Sequence, residues 1–107
     1  MLRAAWARQP DTAWVRTNLG AALRDEGIVL ARSGRLDEAV TLFEEAVQVT
    51  PDDATLHRNM GLALWQQGRL EAAGPHLERA VALRPDDENA RGLLTLFRAR
   101  AHPPASR

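Results

Sequence analysis

Small and large apolar residues recur at helical spacing in two stretches of the chain, residues 34–51 and 68–85. In the first stretch, Ala39, Phe43 and Ala46 stand at positions i, i+4 and i+7, which places them on one face of a helix. The second stretch repeats this face with Ala73, Leu77 and Ala80. Because small residues allow another helix to approach closely, the pattern predicts packed helix pairs.

The two stretches are copies of one unit, since most of their aligned positions are identical or similar in size. Each copy begins with a glycine, Gly34 or Gly68, which suits the left-handed turn that closes a preceding helix. We call the step from Gly34 to Gly68 the repeat length. Each copy ends with a proline, Pro51 or Pro85, just past the helix, where no further helical amide is required. The predicted unit is a helix, a tight turn, a second helix and a stop.

The helix before each turn also recurs, but the step from Gly20 to Gly61 exceeds the repeat length by seven residues. The first unit therefore holds seven extra residues, which we place around residues 27–33. Seven residues make nearly two helical turns, so they keep the apolar face in the same direction. This predicts one long helix over residues 12–33, and the alternative is a break at Gly27. The predicted inner side consists of Leu19, Leu23 and Leu30.

Both ends of the chain fit this register. Near the N-terminus, the spacing of Leu2, Ala5 and Pro10 matches the end of a second helix, so we expect a partial earlier unit there. Near the C-terminus, Asp86 or Asp87 is expected to cap a last helix that runs to about residue 100. Its apolar residues are expected to cover the last repeat: Leu93, Leu94 and Phe97.

The expected organisation is a single helical domain over residues 1–101. It divides into a partial repeat (1–10), a repeat with an extended first helix (11–51), a second repeat (52–85) and a capping helix (86–101). Residues 102–107 are expected to be a disordered tail. Pro75 should bend its helix or delay the start of that helix, because proline lacks the amide hydrogen.

Composition limits the classes of partner. The 14 basic residues, all arginine, balance 14 acidic ones, so there is no net charge to attract nucleic acid or an anionic membrane. The absence of cysteine excludes disulfides and cysteine-rich zinc sites. With no apolar run of the ~20 residues that span a bilayer and no signal-peptide pattern, a cytoplasmic location is expected. The abundance of alanine, leucine and arginine suggests a bacterial source.

Catalytic and metal-binding patterns are weak. His57, His76 and His102 lack the i, i+4 pairing of a helical metal site. Neighbouring acidic residues are better explained as helix caps or a solvated face than as a general acid and base: Glu44-Glu45, Asp52-Asp53 and Asp86-Asp87. No phosphate-binding loop or nucleophile motif occurs. We therefore expect no enzyme activity, no cofactor and no metal.

These features resemble the tetratricopeptide repeat family, whose pattern pairs a Leu-Gly on the first helix with spaced Ala, Phe and Pro on the second. The residues that carry the resemblance are Met60-Gly61, Leu64, Ala73, Leu77, Ala80 and Pro85, with Ala39, Phe43, Ala46 and Pro51 in the first copy. The chain departs from the family at His57, where an aromatic residue is common, and in its long first helix. The resemblance implies an all-α, right-handed superhelix of antiparallel helix pairs, whose first helices line a concave groove.

The resemblance also implies that the groove binds a partner protein or peptide. The expected contact stripe in the first unit consists of Trp14, Thr17, Asn18, Ala21, Arg24 and Asp25. The equivalent stripe in the second unit consists of Thr55, Arg58, Asn59, Leu62, Trp65 and Gln66.

Trp65 is the sharpest candidate in the groove, because a large ring offers rigid contact area at low entropy cost. The alternative is that Trp65 packs on the adjacent repeat. Family members that bind a peptide's terminal carboxylate use Asn and basic side chains on this stripe, which Asn18, Asn59 and Arg58 match in part. The alternative is that these residues are solvated, with an asparagine bridging neighbouring helices.

A second hypothesis is self-assembly. About three repeats are normally needed for a stable stack, whereas this chain offers two full repeats with partial units at the ends. Apolar residues of the N-terminal edge are candidates for pairing with a second copy, or with further repeats of a larger protein: Leu2, Ala5 and Trp6.

Overall fold

A computed structural model describes residues 12–101, which form five helices without any strand. The helices are α1 (Ala13–Arg32), α2 (Leu36–Val49), α3 (Ala54–Gln66), α4 (Leu70–Leu83) and α5 (Glu88–Ala101). This confirms the all-α fold class. The predicted partial repeat with Leu2, Ala5, Trp6 and Pro10, and the predicted tail from His102 onward, lie outside the described residues.

The helices pack as consecutive neighbours. The closest partners are α1 with α2 and α3 with α4, which are the two predicted helix pairs. Packing of α2 against α3 and of α4 against α5 joins the pairs. The first helices also meet, since α1 contacts α3. Each helix is thus stabilised mainly by its neighbours in sequence, as in a solenoid.

Glycine turns close the first helix of each pair. Gly34 and Gly68 have φ angles of 84° and 82°, a left-handed conformation that costs glycine little. Past each glycine the chain folds back on the helix, because the amide of Arg35 donates to the Leu30 carbonyl at 2.9 Å. One repeat later, the amide of Arg69 makes the same 2.9 Å bond to Leu64. The predicted turns are therefore confirmed.

In each pair, a large side chain of the second helix packs directly against the backbone of a glycine on the first helix. A Cβ atom at Gly27 would lie 2.5 Å from the Phe43 ring. A Cβ atom at Gly61 would lie 2.7 Å from Leu77. Phe43 and Leu77 are completely buried, so these contacts form the centre of each helix pair.

Helix α1 is continuous through Gly27, so the alternative of a break is not observed. The placement of the seven extra residues around 27–33 is wrong, however. The contact of Gly27 with Phe43 recurs one repeat length later as the contact of Gly61 with Leu77, so residues 27–33 correspond one for one to residues 61–67. The extra turns are instead the start of α1, residues 13–19.

The prediction that Leu19 lies on the inner side of α1 is wrong. Leu23 and Leu30 pack against the core, but Leu19 is 49% exposed. The reason is the length of α2: Gly20 already faces Thr50, the residue that follows the last turn of α2. The first residues of α1 extend beyond that point.

The predicted delay at Pro75 is not observed. Helix α4 begins at Leu70, which follows the start of α2 at Leu36 by one repeat length. Pro75 lies inside α4. The missing amide of Pro75 therefore does not shift the start of its helix.

The last helix follows the prediction. Asp87, and not Asp86, caps α5, because its Oδ1 accepts a 3.2 Å hydrogen bond from the Ala90 amide. Leu94 and Phe97 are buried, and Leu93 is partly buried. Helix α5 thus covers the end of the second repeat.

The close approach at Gly27 predicts a sharp difference between two glycine substitutions. Gly27→Ala is expected to destabilise the protein by about 1–3 kcal/mol, because the new methyl group would overlap the Phe43 ring. Gly92→Ala is the control, since no atom lies within 4 Å of a Cβ added there. It should stabilise α5 by about 0.5–1 kcal/mol. Chemical denaturation followed by circular dichroism measures both, and a neutral Gly27→Ala would contradict the proposed register.

Candidate functional site

A row of aliphatic side chains runs across the first helices. Ile28, Leu62 and Leu96 follow each other at intervals of one repeat length, one each on α1, α3 and α5. Ile28 and Leu62 are partly buried and Leu96 is 59% exposed. We call these three residues the aliphatic row. It presents apolar surface on every first helix that the structure describes.

Arginines stand one helical turn before two members of the row and tie consecutive repeats together. Arg24 Nη1 donates to Asp53 Oδ2 at 2.7 Å, and Arg58 Nη1 donates to Asp87 Oδ2 at 2.6 Å. Both arginines point toward the first residues of the next first helix. Since residues four apart share a helix face, the aliphatic row lies on the same side of the stack as these ion pairs.

Each of the two aspartates also caps a helix. While Oδ2 accepts from the arginine, Oδ1 of Asp53 accepts from the Leu56 amide at 3.2 Å. In the same way, Oδ2 of Asp87 accepts from Arg58 and Oδ1 of Asp87 accepts from the Ala90 amide. One carboxylate therefore both starts a first helix and fixes its position against the preceding repeat.

The ion pair changes what Arg58 can contribute to a binding site. The side chain of Arg58 is 25% exposed, and its guanidinium already bonds Asp87. A ligand carboxylate at this point would have to share the Arg58 guanidinium with Asp87. Asn59 does not bridge neighbouring helices either, because its amide donates at 2.8 Å to the Thr55 carbonyl within α3.

Trp65 packs on the neighbouring repeat. Its ring meets the Phe97 ring of α5 edge to face, with centroids 5.8 Å apart and planes at 85°. Trp65 is partly buried against the core, whereas Gln66 beside it is exposed. The ring thus serves the packing of α5 on α3, and only its remaining surface is free for a partner.

The equivalence expected for the first unit is wrong by two helical turns. Trp14, Thr17 and Asn18 lie in the extension of α1 and are exposed. In the register fixed by the helix contacts, the counterparts of Thr55, Arg58, Asn59, Leu62, Trp65 and Gln66 are Ala21, Arg24, Asp25, Ile28, Ala31 and Arg32. The error arose because a shift of seven residues preserves the helix face. A role of Trp14, Thr17 or Asn18 in binding stays a prediction.

Sequence reasoning therefore missed two members of the aliphatic row, Ile28 and Leu96. The signal was available, since both stand one repeat length from Leu62, which was among the predicted contact residues. It was hidden by aligning α1 through Gly20 and Gly61, and by the treatment of α5 as a cap only.

Two histidines form a polar pair between α3 and α4. His57 is only 7% exposed, and its Nε2 lies 2.6 Å from the Pro51 carbonyl. Because that carbonyl can only accept, Nε2 carries the hydrogen and Nδ1 of His57 is the acceptor for Nδ1–H of His76, 3.0 Å away. The rings are stacked, with centroids 5.2 Å apart.

The surroundings of His76 favour its uncharged form. Burial, and then the neighbouring His57, lower the pKa of His76 from its usual 6.5, and the charge of Glu44 opposes this shift. Within residues 12–101, no three histidine or acidic side chains are arranged to hold a metal ion. The third histidine of the predicted set, His102, lies outside that range. The same described residues contain no helix long and apolar enough to cross a membrane.

Comparison with known proteins matches this architecture. A family profile described as "Tetratricopeptide repeat" matches residues 24–88, more than half of the chain. Tetratricopeptide repeat protein 33 of Xenopus laevis is 51% identical over 35 residues, which are 33% of this chain and 14% of the relative. The human protein of the same name is 51% identical over 35 residues, covering 33% and 13%. This chain thus matches only a small part of these relatives.

Acid is expected to weaken the cap of α5. The hydrogen bond from the Ala90 amide, supported by the Arg58 charge and opposed by burial, lowers the pKa of Asp87 below its usual 3.8. The resulting stability is present above pH 3.8 and is lost as the pH falls through the lowered value. Asp87→Asn should reduce stability at neutral pH and flatten this acid loss. Denaturation at several pH values measures both effects.

Asp86→Asn is the control for that measurement, because Asp86 is exposed and lies 3.7 Å from Arg84 in a solvated ion pair. It should leave the stability and its acid dependence nearly unchanged. Equal effects of Asp86→Asn and Asp87→Asn would show that Asp87 has no special role.

Mild acid is expected to loosen the α3–α4 pair through His76. Since the folded state lowers the pKa of His76, the stability associated with uncharged His76 is fully present above pH 6.5 and is lost as the pH falls through the lowered value. His76→Gln removes the titration but keeps a donor for His57. The free energy of unfolding, measured between pH about 8 and about 5, should fall less steeply in the variant. Identical slopes for both proteins would refute this expectation.

Proposed function

Because the chain belongs to the tetratricopeptide repeat family, we propose that it is a protein-interaction module whose first helices bind a segment of a partner protein. The family suggests protein binding in general. The observation that supports this particular surface is the aliphatic row, which offers apolar contact on each of α1, α3 and α5.

The spacing of the row suits an extended segment. Helices in contact lie about 8–10 Å apart. A segment in the polyproline II conformation has three residues per turn and rises about 3.1 Å per residue, so its every third side chain lies on one side at intervals of about 9 Å. Apolar side chains at this spacing would meet Ile28, Leu62 and Leu96 in turn. Partly exposed apolar side chains with fixed positions bind at low entropic cost.

Rigidity supports this role. The Arg24–Asp53 and Arg58–Asp87 pairs hold consecutive first helices in register directly beside the row. A partner then meets a surface whose geometry is already set. Thr55 and Gln66 belong to the contact stripe predicted from the sequence and border the row. They add polar contacts.

Binding, and not catalysis, is the role we propose, since proteins of this family generally serve as non-catalytic scaffolds. No cofactor enters the proposal. The cytoplasmic location and the bacterial source stay predictions.

A groove substitution should separate binding from folding. Peptides enriched from a random display library on the wild-type protein serve as probes. Leu62→Glu places a charge in the centre of the row and is expected to weaken their binding at least about tenfold, since buried apolar anchors dominate such interfaces. Fluorescence anisotropy measures the affinity. Trp65→Ala is a poor test, because it would also remove the contact with Phe97.

Ala82→Glu is the matched control, because Ala82 is exposed on the second helix α4, away from the row. It should bind the peptides like the wild type. The proposal fails if no peptide is enriched, or if Leu62→Glu binds as tightly as Ala82→Glu while both variants keep their helical signal.

A further inference from the structure

One face of α1 is exposed and largely apolar along the helix. Val15, Leu19, Ala22, Glu26 and Val29 follow each other at alternating spacings of four and three residues, which keeps them on one side. Val15 and Leu19 are each 49% exposed and Val29 is 61% exposed, and the other two are exposed as well. We call these five residues the edge stripe. It faces away from α2 and α3.

The repeat shows that this face is built to receive a helix. One repeat later, the positions of Ala22, Glu26 and Val29 are occupied by Leu56, Met60 and Ala63. Those three side chains are at most 4% exposed, and α3 is packed against both α2 and α4. Within residues 12–101, no helix covers the corresponding face of α1.

Helix α5 lies at the other end of the described residues. Helix α5 turns Ala90, Leu94 and Phe97 inward. Much of its outer surface is polar, with Arg91 and Thr95 exposed. An apolar edge at one end and a more polar cap at the other do not suit head-to-tail chains of molecules. They suit a closed pair in which the same edge meets itself.

We propose that two copies of this chain form a dimer by antiparallel packing of their edge stripes, with the two-fold axis beside Ala22. The two valines of the stripe have the symmetry that this requires. Val15 and Val29 lie seven residues to either side of Ala22, so each valine meets the other valine of the partner subunit. Two small side chains of Ala22 at the axis allow the helices to approach closely.

Charge favours the same arrangement. Among residues 12–101, neither Arg16 nor Glu26 has an ion-pair partner. With the axis at Ala22, Arg16 lies at the level of the partner's Ile28, about 3 Å along the helix axis from the partner's Glu26. The pair forms twice by symmetry. Parallel packing would instead bring the two Glu26 side chains together.

This dimer is independent of the proposed function, because the two surfaces lie on different sides of α1. Ile28 of the aliphatic row stands roughly 140° around the helix from the centre of the edge stripe. Substitutions in one surface are therefore expected to leave the other intact. Loss of peptide binding and loss of dimerisation can be told apart.

Cysteine cross-linking tests the position of the axis. The chain has no cysteine, so Ala22→Cys introduces a unique thiol. Two such thiols beside a two-fold axis come within disulfide distance, about 4.4–6.8 Å between Cα atoms. We expect mild oxidation to link Ala22→Cys into covalent dimers much faster than Ala82→Cys, an exposed control on α4. Equal rates would overturn the proposed axis.

Sedimentation equilibrium tests the surface itself. The wild type should shift from monomer to dimer with rising concentration, and Leu19→Glu should stay monomeric with an unchanged helical signal. Leu96→Glu, also an exposed leucine, is the control that should dimerise like the wild type. A wild type that is monomeric at all concentrations, or a Leu19→Glu variant that dimerises normally, would overturn the proposal.

A charge exchange tests the antiparallel direction. Glu26→Arg should weaken the dimer at least about tenfold, because it places two arginines beside each other at both ends. The double variant Arg16→Glu, Glu26→Arg should restore the affinity. If the double variant is no better than the single one, the proposed pairing of the two helices is wrong.

Discussion

The contact between a bare glycine backbone and a large buried side chain sets the geometry of this stack. Phe43 fills the space over Gly27, and Leu77 fills the space over Gly61. The two contacts lie one repeat length apart, so they fix which residues of each first helix face the second helix. Every other repeated feature follows that register: the Arg24–Asp53 and Arg58–Asp87 pairs, the glycine turns and the aliphatic row. A methyl group at Gly27 would disturb this register, because it would overlap the Phe43 ring.

Two carboxylates then hold the stacked helix pairs in fixed positions, which makes the surface of the first helices rigid. Asp53 begins α3 through the Leu56 amide and at the same time binds Arg24 from the preceding first helix. Helix initiation and the distance between repeats therefore depend on one side chain. Asp87 has the same two roles for α5, so the aliphatic row spans three helices that are held by two equivalent joints. This is why the row is a better candidate surface than the ion-paired arginines beside it.

The parts of the fold that depend on local chemistry could be predicted from the sequence. Gly34, Gly68 and the alternation of small and large residues encode turns and helix pairs within a few residues. The position of the extra turns in α1 was missed because a shift of seven residues leaves the helix face unchanged, although Arg24, Gly27 and Leu30 recur one repeat length later as Arg58, Gly61 and Leu64. The sequence left open whether Trp65 faces the groove or packs on the adjacent repeat, because the choice depends on how α5 lies across α3 and not on spacing within one helix.

The extension of α1 explains why one helix carries two different surfaces. Residues 13–19 contribute nothing to the aliphatic row, whose member on this helix is Ile28. They do supply Val15 and Leu19, which are half of the apolar length of the edge stripe. Without them the stripe would consist of Ala22, Glu26 and Val29, too short and too polar to pair with itself. The seven added residues thus have a physical consequence at the edge of the stack, where they lengthen the apolar face on which the proposed dimer rests.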